Sequence, residues 1–279
     1  MNEPGTTRGD YFSEQAEEYA RYRPRYPAEL FTYLASTTTD RHLAWDCATG
    51  SGQVAVPLAA YFDRVVATDI SAAQIEHAEI HERVEYRVAP AEASGLGSAT
   101  VNLVTVSQAL HWLDLAAFYR EVERVLAPGG VLAVSSYGSA SVDDPELSAI
   151  FAHFEWTTLG EYWPPRRALV GDKLRELPFP FPELAVPEFR LEARWTLAEL
   201  VGYTRSWSAT ARYVARHGRD PTPALEASLR EAWGEPDRQR LIRWPFVVRV
   251  GRAPHTRPNG LDARGAASPI SQTPIQNRR

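Results

Sequence analysis

The sequence predicts an α/β fold built on a mostly parallel sheet, and three observations point there. From Leu43 to Tyr137 short apolar runs alternate with helical patterns, as strands with crossover helices do. The apolar runs are rich in valine and carry few charges, as strands buried on both faces should. The first run ends on an acid and turns through small residues, Asp46-Cys47-Ala48-Thr49-Gly50-Ser51-Gly52, directly into a helical pattern. Small residues after a strand let a ligand lie against bare backbone, and the next helix offers it free N–H groups.

In chain order, residues 1–10 are small, polar and without periodicity, and read as disordered. A helical run follows over Tyr11–Tyr19, capped by Ser13, and Pro24 and Pro27 break it. Pro27 can open a helix over Ala28–Ser36. The alternating region reads as strand Leu43–Cys47, helix Gln53–Ala60, strand Arg64–Thr68, helix Ala72–Ile80 and strand Val84–Val88. After a loop come strand Val101–Val106, helix Leu115–Leu126, a turn at Pro128-Gly129-Gly130 and strand Val131–Tyr137.

The character changes beyond Tyr137. A helix over Pro145–Leu159 gives way to Tyr162-Trp163-Pro164-Pro165-Arg166-Arg167 and then Pro178-Phe179-Pro180-Phe181-Pro182. Such stretches can be neither long helices nor central strands, and are too aromatic for a free linker. They read as an insertion over the sheet edge. Phe189–Trp195 reads as a strand, Thr196 as a helix cap, and Ser206–Arg216 and Pro223–Trp233 as helices. Leu241–Val250 reads as one last strand interrupted at Trp244-Pro245, and the Pro/Ser/Gly/Gln/Arg-rich tail as disordered.

Composition narrows the class. The chain has 279 residues, 44% hydrophobic and 23% charged, an ordinary globular balance. Its net charge of −5 argues against a nucleic-acid partner. One cysteine, Cys47, permits no internal disulfide and fits a reducing cytoplasm. No apolar stretch approaches the roughly 20 residues of a membrane span. His77 and His81 share a helix face, but no third ligand accompanies them, so no metal site is expected.

The turn after the first strand admits two ligands. Gly50-x-Gly52-x-x-Ala55 with Asp69 downstream fits a dinucleotide fingerprint and hence an NAD(P)-dependent oxidoreductase. Asp46, however, would repel a pyrophosphate and suits a cation or an amino group.

At this point the sequence resembles a family. Asp46-Cys47-Ala48-Thr49-Gly50-Ser51-Gly52 looks like motif I of the class I S-adenosylmethionine-dependent methyltransferases, with Ala48 where glycine is usual. Val66-Ala67-Thr68-Asp69-Ile70-Ser71, Ala91-Glu92, Val101 to Trp112 and Leu126-Ala127-Pro128-Gly129-Gly130 match later motifs in order. Tyr19-x-x-x-Arg23-Pro24-x-Tyr26-Pro27, Gln108-Ala109-Leu110-His111-Trp112, Trp163-Pro164-Pro165, Trp207-Ser208-Ala209 and Trp244-Pro245 resemble the yeast-type trans-aconitate methyltransferases, which have a UbiE-like core. The resemblance implies a Rossmann-like, mostly parallel seven-stranded sheet with a lid insertion between strands five and six. It divides residues 11–252 into an N-terminal cap (11–40), a core (41–140), a lid (about 141–188) and a C-terminal part (189–252), with a tail over 253–279.

The resemblance also implies roles. Asp69 would hold the ribose hydroxyls, with Ile70, Ser71 and Gln74 beside it. Asp46, Ala48, Thr49, Gly50, Ser51 and Gly52 would cradle the methionyl side of S-adenosyl-L-methionine. Ala91 and Glu92 would flank the adenine, and Ser107 and Gln108 the methyl. Tyr19 and Arg23 would cover the cofactor. His111, Trp112, Tyr11, Trp163 and Arg166, with Arg167, would meet a small-molecule acceptor, and His111 is the candidate base. The expected protein is a cytoplasmic monomer or homodimer that methylates an oxygen or nitrogen. A cofactor-binding protein without catalysis is the other reading.

Overall fold

The computed structural model describes residues 22–255, and the expectations for the first 21 residues and for the tail beyond 255 lie outside them. The short apolar runs form the strands that the alternation predicts. They are β1 (Leu43–Cys47), β2 (Arg64–Asp69), β3 (Val84–Val88), β4 (Val101–Ser107) and β5 (Leu126–Tyr137). A sixth strand, β9 (Phe246–Arg252), completes the sheet order β3-β2-β1-β4-β5-β9. Neighbours are parallel except β5 and β9. The order reverses between β1 and β4, which opens a crevice at their carboxyl ends.

Helix α1 (Ala28–Ser36) precedes these strands, and α2 (Ala55–Leu58), α3 (Ala72–Glu76) and α4 (Leu115–Val125) lie between them. Two are shorter than the sequence suggests. α2 contains Pro57, which has no N–H to donate, and residues 51–54 turn before it begins. α3 is capped by Ser71, whose hydroxyl accepts from the Gln74 amide, and it ends at Glu76. α4 is strongly amphipathic: Phe118, Val122 and Val125 are fully buried against the sheet, at about 1.5–3 kcal/mol per side chain. β5 is longer than expected. It starts before Pro128-Gly129-Gly130 and absorbs that turn as an irregularity between Val101 and Leu103 of β4.

Among the described residues the main sheet has six strands, not the expected seven, because the strand expected over Phe189–Trp195 pairs in a second sheet; beside β9 only one isolated bridge forms, Glu183 to Gly251. Leu184 N–H donates to Val250 O and Arg252 N–H to Pro182 O, and the prolines at 178, 180, 182 and 187 deny the segment a longer ladder. Arg249, itself buried, fastens the segment by pairing with Glu183 and donating to the Leu174 and Leu177 carbonyls.

A second, antiparallel sheet covers the carboxyl edge. It pairs β6 (Ser141–Val142), β8 (Arg240–Trp244) and β7 (Leu191–Trp195) in the order β6-β8-β7. Four helices pack with it: α5 (Pro145–His153), α6 (Leu197–Arg205), α7 (Ser208–His217) and α8 (Thr222–Trp233). α5 runs on as a π-helical turn over Phe154–Thr158. The sheet draws strands from both sides of the expected boundary at 188/189. The single last strand expected over Leu241–Val250 is in fact two, β8 and β9. Pro245 divides them because it cannot continue the ladder, and the chain changes sheets there.

Three passages between the layers meet at one point. Gly138 N–H donates to Pro245 O at 2.9 Å. Gly171, at φ +61°, is so close that a Cβ on it would lie 3.1 Å from Gly138 Cα. The fourth passage runs past Phe189, whose ring packs on Tyr33 of α1.

Candidate active site

The crevice beyond β1 and β4 is a cleft of about 1200 Å³ counted with its open mouth. One wall begins at the turn after β1. Ala48 and Gly50 line it in left-handed backbone, at φ +55° and +57°. Gly52, at φ +89°, does not line the cleft; it backs onto Tyr86, where a Cβ would meet the phenol oxygen at 2.2 Å. That close approach is why glycine is required there.

Asp69 lines the cleft at the end of β2. Its two oxygens accept from Gly50 N–H and Ser71 N–H, both at 2.9 Å, so it joins the first turn to the second. Burial raises its pKa, and the amide bonds from Ser71, Gly50 and Ile70 oppose the rise. A carboxylate has about four acceptor sites, so capacity beyond these amides remains for a ligand.

Asp46 sits beneath the turn, not in the cleft. It is 1% exposed and accepts from Thr49 Oγ1 at 2.6 Å and Thr105 Oγ1 at 2.7 Å. Burial pushes its pKa up to about 6, against the two threonine hydrogen bonds, and nearby Asp69 adds to the rise. Thr49 and Ser51 are buried supports of the same turn. Their backbones are tied, Thr49 N–H to Thr68 O and Glu79 N–H to Ser51 O. Ser71 caps α3, while Ile70 and Gln74 do line the cleft.

The far wall starts at the end of β4. Ser107 and Gln108 line it, and Gln108 is left-handed at φ +57°. The Gln108 amide acts as a surrogate peptide. Its Oε1 accepts from Tyr137 N–H, its Nε2 donates to Tyr137 O, and Ser136 Oγ also donates to Oε1. Strand pairing with β5 therefore extends one step after the main chain has turned away. A 3-10 turn over Leu110–Trp112 brings His111 and Trp112 to the cleft. Burial first, then Arg167 and Arg166, lower the His111 pKa to about 3.

The second layer supplies the roof. Trp163, Pro164, Arg167, Tyr203 and Trp207 face the cleft, with Arg23 from the N-terminal side. Arg167 lies 4.8 Å over the Trp163 ring and pairs with buried Glu155 at 3.0 Å. Arg23 donates to Tyr137 Oη and Ser206 O, and lies over Tyr203.

A methyltransferase domain model matches residues 45–134, the segment that builds both walls. A Dictyostelium discoideum protein named as a methyltransferase is 33% identical over 243 residues, 86% of this chain and 92% of that one. The chain belongs to the class I S-adenosylmethionine-dependent methyltransferases. A solved structure described as a type II methyltransferase from Anaeromyxobacter dehalogenans agrees, at 44% identity and a TM-score of 0.76. It covers 84% of this chain and all of its own. A Saccharomyces cerevisiae relative named for an S-adenosylmethionine-dependent methyltransferase is 25% identical over 58% of this chain and 62% of its own length.

The cofactor of this methyltransferase is therefore S-adenosylmethionine, and the oxidoreductase reading of the glycine turn is set aside. The cleft fits the group, because Asp69 keeps acceptor capacity beside the bare backbone of Gly50. Of the residues expected to touch ligands, Arg23, Ala48, Gly50, Asp69, Ile70 and Gln74 line the cleft. So do Ala91, Glu92, Ser107, Gln108, His111, Trp112 and Trp163. Asp46, Thr49, Ser51, Gly52, Ser71 and Arg166 do not; Arg166 instead donates to His111 O and holds that turn. Tyr11 and Tyr19 lie outside the described residues.

Sequence reasoning missed Tyr137 and Tyr203. Tyr137 is the last residue of β5, a position that strand order alone aims at the crevice. Tyr203 lies on α6 and carries no local signal. Among the described residues, His77 and His81 engage nearby backbone, at Ala73 O and Arg83 N–H.

Proposed function

We propose that this enzyme transfers a methyl group to an oxygen or nitrogen of a small molecule, and that a carboxylate is the acceptor its cleft suits best. The observation that carries this reading is the pairing of an acid-weakened His111 with cleft-lining guanidiniums. A histidine whose pKa lies near 3 is neutral at physiological pH and a poor base. A carboxylate needs no base, because it is already nucleophilic as the anion. Arg23 offers it positive charge, Arg167 the guanidinium edge left by its pair with Glu155, and the neutral His111 a hydrogen bond. The likeness to trans-aconitate methyltransferases supports the same choice.

In this reading Asp69 holds the ribose diol and Ala48 and Gly50 lie under the methionyl chain. Asp46 acts from below by fixing the turn. Ala91 and Glu92 flank the purine. The sulfonium supplies an activated methyl, so the protein's work is alignment, exclusion of water and charge placement. The single buried Cys47 and the acidic balance accord with a cytoplasmic enzyme acting on a metabolite rather than on nucleic acid.

Two measurements test the reading. Asp69→Ala removes two charge-assisted bonds to the ribose and should weaken S-adenosylhomocysteine by about a hundredfold or more in calorimetry. Incubating the enzyme with S-adenosylmethionine and panels of organic acids, alcohols and amines should give base-labile methyl esters. Methylation confined to amines or alcohols would reject the carboxylate assignment.

A further inference from the structure

Loop 89–99, between β3 and β4, carries Ala89, Ala91 and Glu92 to the cleft wall. A loop with two glycines and no regular structure would not hold side chains in register by itself. Something must fix it, and the fixing group lies on α4. Glu121, the seventh residue of α4, is nearly buried and points at the loop. Its Oε1 accepts from Ser94 N–H at 2.8 Å and from Ser94 Oγ at 2.5 Å. Ser94 Oγ in turn accepts from Leu96 N–H at 3.2 Å. Arg124, one turn on, grips both Glu121 oxygens at 2.7 Å and donates to Leu96 O and Ser98 Oγ.

Burial would raise the Glu121 pKa, but the bonds from Arg124 and Ser94 outweigh it and hold the carboxyl below its ordinary value. The group therefore stays charged, and the bonds it accepts are of the stronger, charge-assisted kind. A second fastening lies at the start of the same helix, where Glu92 Oε1 accepts from Asp114 N–H at 3.2 Å. The loop is thus pinned to α4 at its first turn and again near its last. Neither Glu121 nor Ser94 lines the cleft.

We propose that Glu121 is a positioning residue for the purine: through Ser94 and Leu96 it sets loop 89–99 so that Ala91 and Glu92 read the base. This rests on the cofactor placement proposed above. Glu121 acts entirely through the loop, since it touches no ligand. Its effect should appear as discrimination between purines, not merely as stability. The 6-amino group of adenine donates hydrogen bonds and would face the Glu92 side, whereas the 6-oxo group of hypoxanthine would not.

The test compares S-adenosylhomocysteine with S-inosylhomocysteine by calorimetry on wild type, Glu121→Gln, Ser94→Ala and Asp69→Ala. Glu121→Gln and Ser94→Ala should each weaken S-adenosylhomocysteine by about tenfold and shrink its preference over the inosyl analogue. Asp69→Ala should weaken both ligands alike and leave the preference intact. Wild-type preference in both loop variants, even with a lowered melting temperature, would overturn the proposal, because a merely structural Glu121 behaves that way. Wild-type affinity in Asp69→Ala would instead overturn the cofactor placement, and the positioning role with it. Should Glu121→Gln fail to fold, Ser94→Ala, which removes only one hydroxyl, decides the comparison.

Discussion

Replacing Ala48 with glycine tests whether the cleft wall stores backbone strain. Ala48 sits at φ +55°, where an L side chain costs about 1–2 kcal/mol. Glycine removes that cost, but loosens the unfolded chain by about 0.5–1 kcal/mol. The lost methyl is half-buried, so it contributes less than the ~0.8 kcal/mol of a fully buried one. The balance for Ala48→Gly runs from about 0.5 kcal/mol of lost stability to about 1 kcal/mol of gain. The control is Ala44→Gly, in fully buried β1, where no strain is relieved and roughly 1–2 kcal/mol should be lost. The two variants should therefore melt about 1–8 °C apart. Differential scanning calorimetry of the ligand-free protein reads this directly. An Ala48→Gly variant that loses as much as Ala44→Gly would refute the strain argument. Ala48→Val, which forces a β-branched residue into the same backbone, should melt below wild type.

Asp46 makes stability depend on pH with a definite sign. Its folded pKa of about 6 lies above the ordinary aspartate value of 3.8, so between these values the native state holds the proton more tightly. Stability from this group is full at low pH, is lost as pH rises from about 4 to about 6, and is level beyond. Asp46→Asn lacks that loss, so its stability relative to wild type should climb across the same window by up to ~3 kcal/mol. A difference that is flat with pH in urea titrations would show that Asp46 is not the group responsible. Gly52→Ala should destabilise the protein sharply, because the new Cβ would lie 2.2 Å from Tyr86 Oη. Tyr86→Phe in the same chain should recover part of the loss, and a strictly additive double mutant would disprove the contact.

The five parallel strands of the sheet were legible because each has a one-line signature. The apolar run ending at Cys47 and the valine-rich runs ending at Asp69 and Ser107 need no tertiary context to be extended. The three turns at their carboxyl ends were legible for the same reason. Less visible was which member of a turn faces the ligand. Asp46 and Asp69 are both acids at strand ends, yet Asp46 turns inward to Thr49 and Thr105 while Asp69 faces the cleft. That difference depends on Thr105, 59 residues away. The second layer was hardest to read. β6 has only two residues, and the last strand is two because Pro245 hands the chain from one sheet to another. The Pro/Phe stretch hid its bridge to β9, since periodicity cannot show a pairing made at one residue. Glu121 and Arg124 look like any surface i, i+3 pair until the loop from Ser94 folds onto them.

The meeting of Gly138, Gly171 and Pro245 has a mechanical consequence. Three crossings gathered at one point leave the roof free to pivot but not to slide. The fourth crossing, anchored where Phe189 packs on Tyr33, lies elsewhere and removes most of that rotation. A roof sewn down in this way cannot swing as a domain on the microsecond-to-millisecond scale typical of hinged closures. Among the described residues, segment 163–170 is a part of the roof outside both sheets, so acceptor entry is expected to depend on its motions, in the nanosecond-to-microsecond range of loops. Opening should cost this enzyme little time, and its turnover should be governed by chemistry or by departure of the demethylated cofactor.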